Sequence, residues 1–235
     1  MATHLDLQEQ EQVDQLKAFW NQYGNLITWT LILALGAFAA WNGWNWWQRE
    51  QGVKASAMFD ELERASLAAD VERSTRIFGD LKERYPRTAH AQQGALLAAK
   101  VQADKGQADA ALASLAWAAD NGSDDGLKAV ARLRAAGLLL DKKQYDAARA
   151  QLDAAGSGSA APGFTALVAD RRGDLLLAQG KKEEARASYE VAYKAMDEML
   201  EYRRLVEAKL TSLGGGASLV PGAANAAASA SGAAQ

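Results

Sequence analysis

The side chains able to do covalent or acid–base chemistry in this chain are few, and their spacing keeps them apart. The two histidines, His4 and His90, lie in different segments, so a histidine metal site or a nucleophile–base triad lacks its parts. Cysteine is absent, which removes disulfides, zinc–thiolate sites, thiol nucleophiles and lipoprotein-type acylation. Gly214-Gly215-Gly216 follows no strand pattern and opens no helix, so it is no phosphate cradle. Glu183-Glu184 stands beside Lys181-Lys182, the pattern of a solvated charged face. These absences predict a protein that is not an enzyme and holds no cofactor or metal. What remains is recognition. Gln93, Lys100, Leu133, Leu140, Asp170 and Asp174 recur on one side of successive helical segments, as a candidate protein-binding groove. Gly36, Ala40 and Gly43 form a second candidate, a small-residue face on which another helix could pack within a membrane.

The second group sits in a stretch that must form first. Leu26 to Trp47 carries no charge over 22 residues, and a helix of that length rises about 33 Å, enough for the hydrocarbon core of a bilayer. Phe19, Trp20 and Tyr23 precede the run, and Trp41, Trp44, Trp46 and Trp47 close it. Aromatic side chains with a polar tip favour the headgroup region at both ends of a span. Ala37-Phe38-Ala39 resembles a cleavage site for a secretory signal. Such signals begin with a basic segment, however, whereas here Lys17 faces Asp6, Glu9, Glu11 and Asp14. The sequence therefore predicts one transmembrane helix over 25–47, with a lipid bilayer as its partner. Residues 5–22 read as an amphipathic lead-in, with Leu5, Val13, Leu16 and Trp20 at helical spacing. The four acids of that lead-in, set against Lys17, account for the whole net charge of −3. The remainder is neutral, without a basic patch for nucleic acid.

The groove candidates sit on a repeat. Ser74, Ala111, Ala148 and Ala185 follow one another at intervals of 37, each followed four residues later by Phe78, Leu115, Leu152 or Tyr189. Gly106, Lys143 and Gly180 precede the last three by five residues, where a helix must turn. Ala99, Ala136 and Gly173 precede them by twelve, where two helices must touch closely. This is the pattern of tetratricopeptide (TPR) repeats, lengthened from about 34 residues. It predicts helices over 55–68, 72–85, 88–104, 108–120, 126–141, 144–155, 164–179, 182–196 and 197–212. The breaks fall at Pro86, at Asn121-Gly122-Ser123 and at Gly156-Ser157-Gly158 before Pro162. No window alternates with period two, so no sheet is expected. The fold class is all-α, one N-terminal transmembrane helix followed by a TPR-like helical-repeat solenoid. Its domains are a tail at 1–24, the span at 25–47, the repeats at 48–212, and a disordered Ala/Gly-rich tail at 213–235.

The order of these segments resembles one family. An acidic, Gln-rich start (EQEQVDQLKAFW, residues 9–20) leads into a span ending in WNWWQRE, then ASAMFDEL, and repeats closing with GDLLLAQGKKEEARASYEVA at 173–192. Over residues 5–212 this is similar to the YfgM family, ancillary subunits of the bacterial SecYEG translocon. The resemblance implies a single-pass protein of the bacterial inner membrane, with a short cytoplasmic N-terminal tail and a periplasmic TPR-like domain. It also implies association with SecYEG and with a membrane-anchored periplasmic prolyl isomerase, and chaperone-like help to exported client proteins. The charges point the other way: Arg49, Lys54 and Arg64 outnumber Lys17 and the amino terminus, which favours a cytoplasmic C-terminal domain. An alternative role is a TPR scaffold for assembly of another cell-envelope complex.

Overall fold

The computed structural model describes the backbone of residues 7–197 and 201–214, and the side chains from residue 13 onward. Among these residues the structure is all helical, without a strand. The chain divides into two compact units, Met1–Gln51 and Gly52–Gln235, a boundary four residues beyond the predicted end of the span. His4 and the Ala/Gly-rich tail beyond Gly214 lie outside the described residues.

Helix α1, Leu7–Leu67, supplies nearly all of the described first unit. The sequence predicts separate pieces here: a lead-in, a span, a polar exit at 48–53 and a new helix from Ala55. The structure instead joins them into one element. Nothing between Trp47 and Ala55 stops a helix, because that stretch has no proline and only Gly52 is a weak helix former. α1 is the one described helix long and apolar enough to cross a membrane. Only 6% of its apolar window is buried, and Leu33, Phe38 and Trp41 are each about two-thirds exposed or more. A core helix of a soluble domain would be covered. The polar side chains in the run turn back on the helix itself. Thr28 Oγ1 donates to Gly24 O at 2.7 Å, Thr30 Oγ1 to Leu26 O at 2.8 Å, and Asn42 Nδ2 to Phe38 O at 3.1 Å. That arrangement suits lipid, which offers no partner for an open donor.

The second unit begins within α1 and continues through α2 (Val71–Arg84), α3 (Ala89–Asp104), α4 (Ala108–Asn121), α5 (Asp125–Asp141), α6 (Tyr145–Ala155), α7 (Ala161–Ala178), α8 (Lys182–Ala195) and α9 (Glu201–Ser212). Each of α2 to α8 begins and ends within three residues of the position read from the sequence. α7 starts earlier than expected because Pro162 falls in its first turn, where a missing N–H costs nothing. Pro86 follows the Tyr85 cap of α2, as a helix-ending proline should.

The 37-residue period is visible in burial. Ser74, Ala111, Ala148 and Ala185 are all 0% exposed, and Phe78, Leu115, Leu152 and Tyr189 are 4% or less. At Gly173 a Cβ would come 2.4 Å from the Tyr189 ring, so the largest residue of the series needs the smallest one opposite. Trp117, the one tryptophan outside the first unit, stands edge-on to Phe78 with ring centroids 5.6 Å apart.

The turns repeat as well. Ala69, Lys143, Gly106 and Gly180 all have positive φ, between 53° and 78°, and stand 37 residues apart. At each, the next residue's N–H reaches back five residues: Asp70 to Ala65 O, Gln107 to Gln102 O, Gln144 to Leu139 O and Lys181 to Leu176 O, at 2.8–3.0 Å. This is the Schellman closure, which satisfies the last carbonyls and sends the chain back antiparallel. Ala69 is the fourth member, hidden in the sequence because alanine carries no turn signal. Left-handed backbone costs an L-residue about 1 kcal/mol or more. Lys143→Gly is therefore expected to raise stability by about 1 kcal/mol, and Gly106→Ala to lower it by a similar amount. Equilibrium denaturation of the two variants checks this. Equal shifts of the same sign would mean that turn strain does not matter here.

Candidate protein-interaction groove

In each pair of helices the first (α3, α5, α7) presents one face to a shared concave surface. There a groove of about 660 Å³ opens. α5 lines it with a single helical stripe, Val130, Leu133, Arg134, Gly137, Leu138, Leu140 and Asp141, at the three- and four-residue spacing of one helix face. α3 contributes Ala99, Lys100, Ala103 and Asp104 to the opposite wall, and α7 contributes Phe164, Leu167 and Arg171. The lining is mostly apolar, with Lys100, Asp104, Arg134, Asp141 and Arg171 among it.

Three of the six groove candidates, Lys100, Leu133 and Leu140, line it. Gln93 is exposed on α3 but lies outside the groove. Asp170 and Asp174 are a correction. They occupy the same repeat positions as Leu133 and Gly137, yet Asp170 is 0% exposed and neither lines the groove. The cause is α9. It packs on α8 at the end of the solenoid, where Val206 and Leu210 are fully buried with Ala169, Ala185, Tyr189 and Ala192. Its polar side covers the two aspartates. Lys209 Nζ lies 2.7 Å from both Asp170 Oδ1 and Asp174 Oδ1. Tyr202 donates its hydroxyl to Asp170 at 2.7 Å, and Tyr189 to Asp174 at 2.8 Å. Arg171 adds a contact to Asp174 at 3.1 Å. A buried carboxylate needs such compensation.

The phenols carry the electrostatic signature of this cluster. Burial, and then the hydrogen bond to Asp170, push the Tyr202 hydroxyl up to about 12. Tyr189 is raised in the same direction, by burial and then by Asp174. Both therefore act as donors at any physiological pH.

Other contacts that shape the site were not legible in the sequence. Buried Gln92 donates to Ala118 O at 3.1 Å and to Asp124 O at 3.0 Å, and accepts from Asp124 N at 3.0 Å. It ties α3 to the link between α4 and α5. A Cβ on Gly122 would fall 1.8 Å from its amide nitrogen, so that glycine makes room for the tie. Arg134 donates to Leu96 O at 3.3 Å across the groove wall. Gly36, Ala40 and Gly43 belong to the first unit, and a Cβ at Gly36 or Gly43 would meet nothing within 4 Å. No described residue packs there.

A family model described as a tetratricopeptide repeat-like domain matches residues 17–215, taking in the apolar helix as well as the repeats. The chain belongs to this family. Two curated relatives are both named "Ancillary SecYEG translocon subunit". One, from Haemophilus influenzae, is 30% identical over 128 residues, covering 54% of this chain and 62% of the relative. The other, from Neisseria gonorrhoeae, is 32% identical over 135 residues, covering 57% of this chain and 64% of the relative. The matched part of the chain thus spans a little under two thirds of each relative. Both carry the name that the sequence resemblance implied. No solved structure matches the chain.

The aspartate–phenol–lysine cluster predicts how this TPR-like domain responds to pH. A neutral phenol in the fold, against an ordinary value near 10 in the unfolded chain, gives stability that is complete below pH 10. That stability is lost as pH rises toward 12. Tyr202→Phe is expected to cost about 1–3 kcal/mol at pH 8, because Asp170 loses a donor, and to flatten the fall between pH 10 and 12. Lys209→Met is expected to cost about 3–5 kcal/mol by stranding a buried charge. Denaturation midpoints across that range check both. An alkaline loss of the same size in Tyr202→Phe would remove the phenol from the explanation.

Proposed function

We propose that this chain is an ancillary subunit of the SecYEG translocon. In that role it is a membrane-anchored, non-enzymatic TPR-like module that binds polypeptide and assists exported proteins alongside periplasmic chaperones. It sits in the bacterial inner membrane by α1, with the short N-terminal tail cytoplasmic and the repeat domain periplasmic. A membrane-anchored prolyl isomerase and unfolded export clients are its further partners. The observation that carries this reading is an open, mostly apolar groove on a TPR-like domain that follows an uncovered apolar helix. The name of the relatives supports the choice of translocon. The bare face of α1 at Gly36, Ala40 and Gly43 suits close approach of a translocon helix, since small residues let backbones meet where lipid provides no hydrophobic drive.

Affinity purification of the tagged full chain tests the association. SecYEG is expected to co-purify, and Gly36→Leu with Ala40→Leu to reduce its recovery while membrane insertion persists. Leu31→Ala with Leu35→Ala should reduce recovery less. Undiminished recovery of SecYEG with the bulky pair would move the contact away from α1.

Protease added to spheroplasts tests the orientation. Residues beyond about 52 should be digested while the span is protected. An intact repeat domain would place it in the cytoplasm, as the flanking charges favour.

A further inference from the structure

Gly137 is the anomaly of the groove. It stands inside α5, where glycine is the most helix-weakening residue short of proline. Its backbone is not left-handed, since it is absent from the positive-φ positions. A Cβ there would meet nothing within 4 Å, in contrast to Gly94, Gly122 and Gly173, where a Cβ would strike a neighbour at 2.8 Å or closer. Folding therefore gains nothing from the missing side chain. The space that it leaves opens into the groove, between Leu133 and Leu140.

The charges on either side are unequal in their commitments. Lys100 pairs with Asp104 at 3.3 Å and Arg171 with Asp174 at 3.1 Å. Among the described residues Arg134 meets only the neutral carbonyl of Leu96, and Asp141 has no ion pair. Both line the groove. They stand one turn before and one turn after Gly137, seven residues apart, or about 10.5 Å along α5. Side chains of an extended chain alternate faces at about 3.3 Å per residue, so an apolar side chain and charges two residues to either side of it share one face over about 13 Å, a span that the long Arg134 side chain can close.

From this geometry we propose that the Gly137 hollow is the central subsite for an extended polypeptide segment. An apolar side chain of that segment fills the hollow, an acidic side chain two residues to one side meets Arg134, and a basic one two residues to the other side meets Asp141. The inference rests on the polypeptide-binding reading above and adds to it which segments are taken. Charge complementarity on both sides of one apolar contact sets register as well as affinity. The opposite signs favour mixed-charge segments over uniformly acidic or basic ones.

The full chain in lipid nanodiscs, titrated into a fluorescent nine-residue peptide with Glu and Lys four residues apart around a central Leu, tests this by anisotropy. Gly137→Leu is expected to weaken binding by about tenfold or more while holding or raising the melting temperature, which separates occlusion from misfolding. Gly79→Leu, at a helical glycine that also meets nothing within 4 Å but lies outside the groove, should bind as the parent does. Arg134→Glu should lose the peptide and regain it when the peptide's Glu is changed to Lys. Equal binding by Gly137→Leu, equal binding of a Gln/Gln peptide, or no binding of the peptide at all would each overturn the subsite. If SecYEG still co-purified with the tagged chain in those cases, the subsite alone would fall. Peptide binding as expected, without SecYEG recovery, would instead overturn the translocon role and leave the subsite standing.

Discussion

The repeat domain depends on one constraint: in every pair, two helices must close on a residue too small to hold them apart. Ser74, Ala111, Ala148 and Ala185 meet that need with no exposed surface at all. The large side chain one turn later fills what remains, and packing near crystal density leaves little latitude in either. The tightest case is Gly173 against Tyr189, where even a methyl group would overlap the ring. Because no pair buries enough by itself, the pairs stack and share a core. The concave face on which a partner could lie follows from that stacking. Groove and core thus have one origin.

A solenoid must also end, and α9 shows how that is done here. It takes the place that the first helix of a further repeat would hold, burying Val206 and Leu210. The side chains beneath it no longer face solvent. Where an inner repeat puts Leu133 in the groove, the last one puts Asp170 under Lys209 and Tyr202. A buried ion cluster adds little net stability over an apolar one, but it tolerates few alternative arrangements. It fixes α9 in register, and so fixes Tyr202 at the end of the groove.

The two units answer to different solvents. Within the repeats, apolar side chains are hidden and polar groups find partners on neighbouring helices. Along the span, apolar side chains stay bare, and Thr28, Thr30 and Asn42 return their donors to the helix that carries them. Both patterns are solutions to the same rule, that a polar group away from water must be paired.

How much of this was legible beforehand depends on whether a feature is local. The span, the 37-residue period, the helix bounds of α2 to α8 and the turns at Gly106, Lys143 and Gly180 could all be read from the chain. Hydrophobic spacing, proline and glycine act on the residues beside them. Lys100, Leu133 and Leu140 line one groove because a helix face has a fixed period. Asp170 and Asp174 were misplaced because their neighbour, α9, lies more than thirty residues away in the chain, and nothing in their own helix announces it. The union of lead-in, span and first repeat helix into α1 also escaped the sequence, where a single glycine and a polar stretch suggested a break that helix propensity did not require. The Gln92 tie and the empty space over Gly137 were decided by tertiary structure alone. Each is a matter of which atoms meet across helices, and sequence spacing within one helix says nothing of what stands opposite.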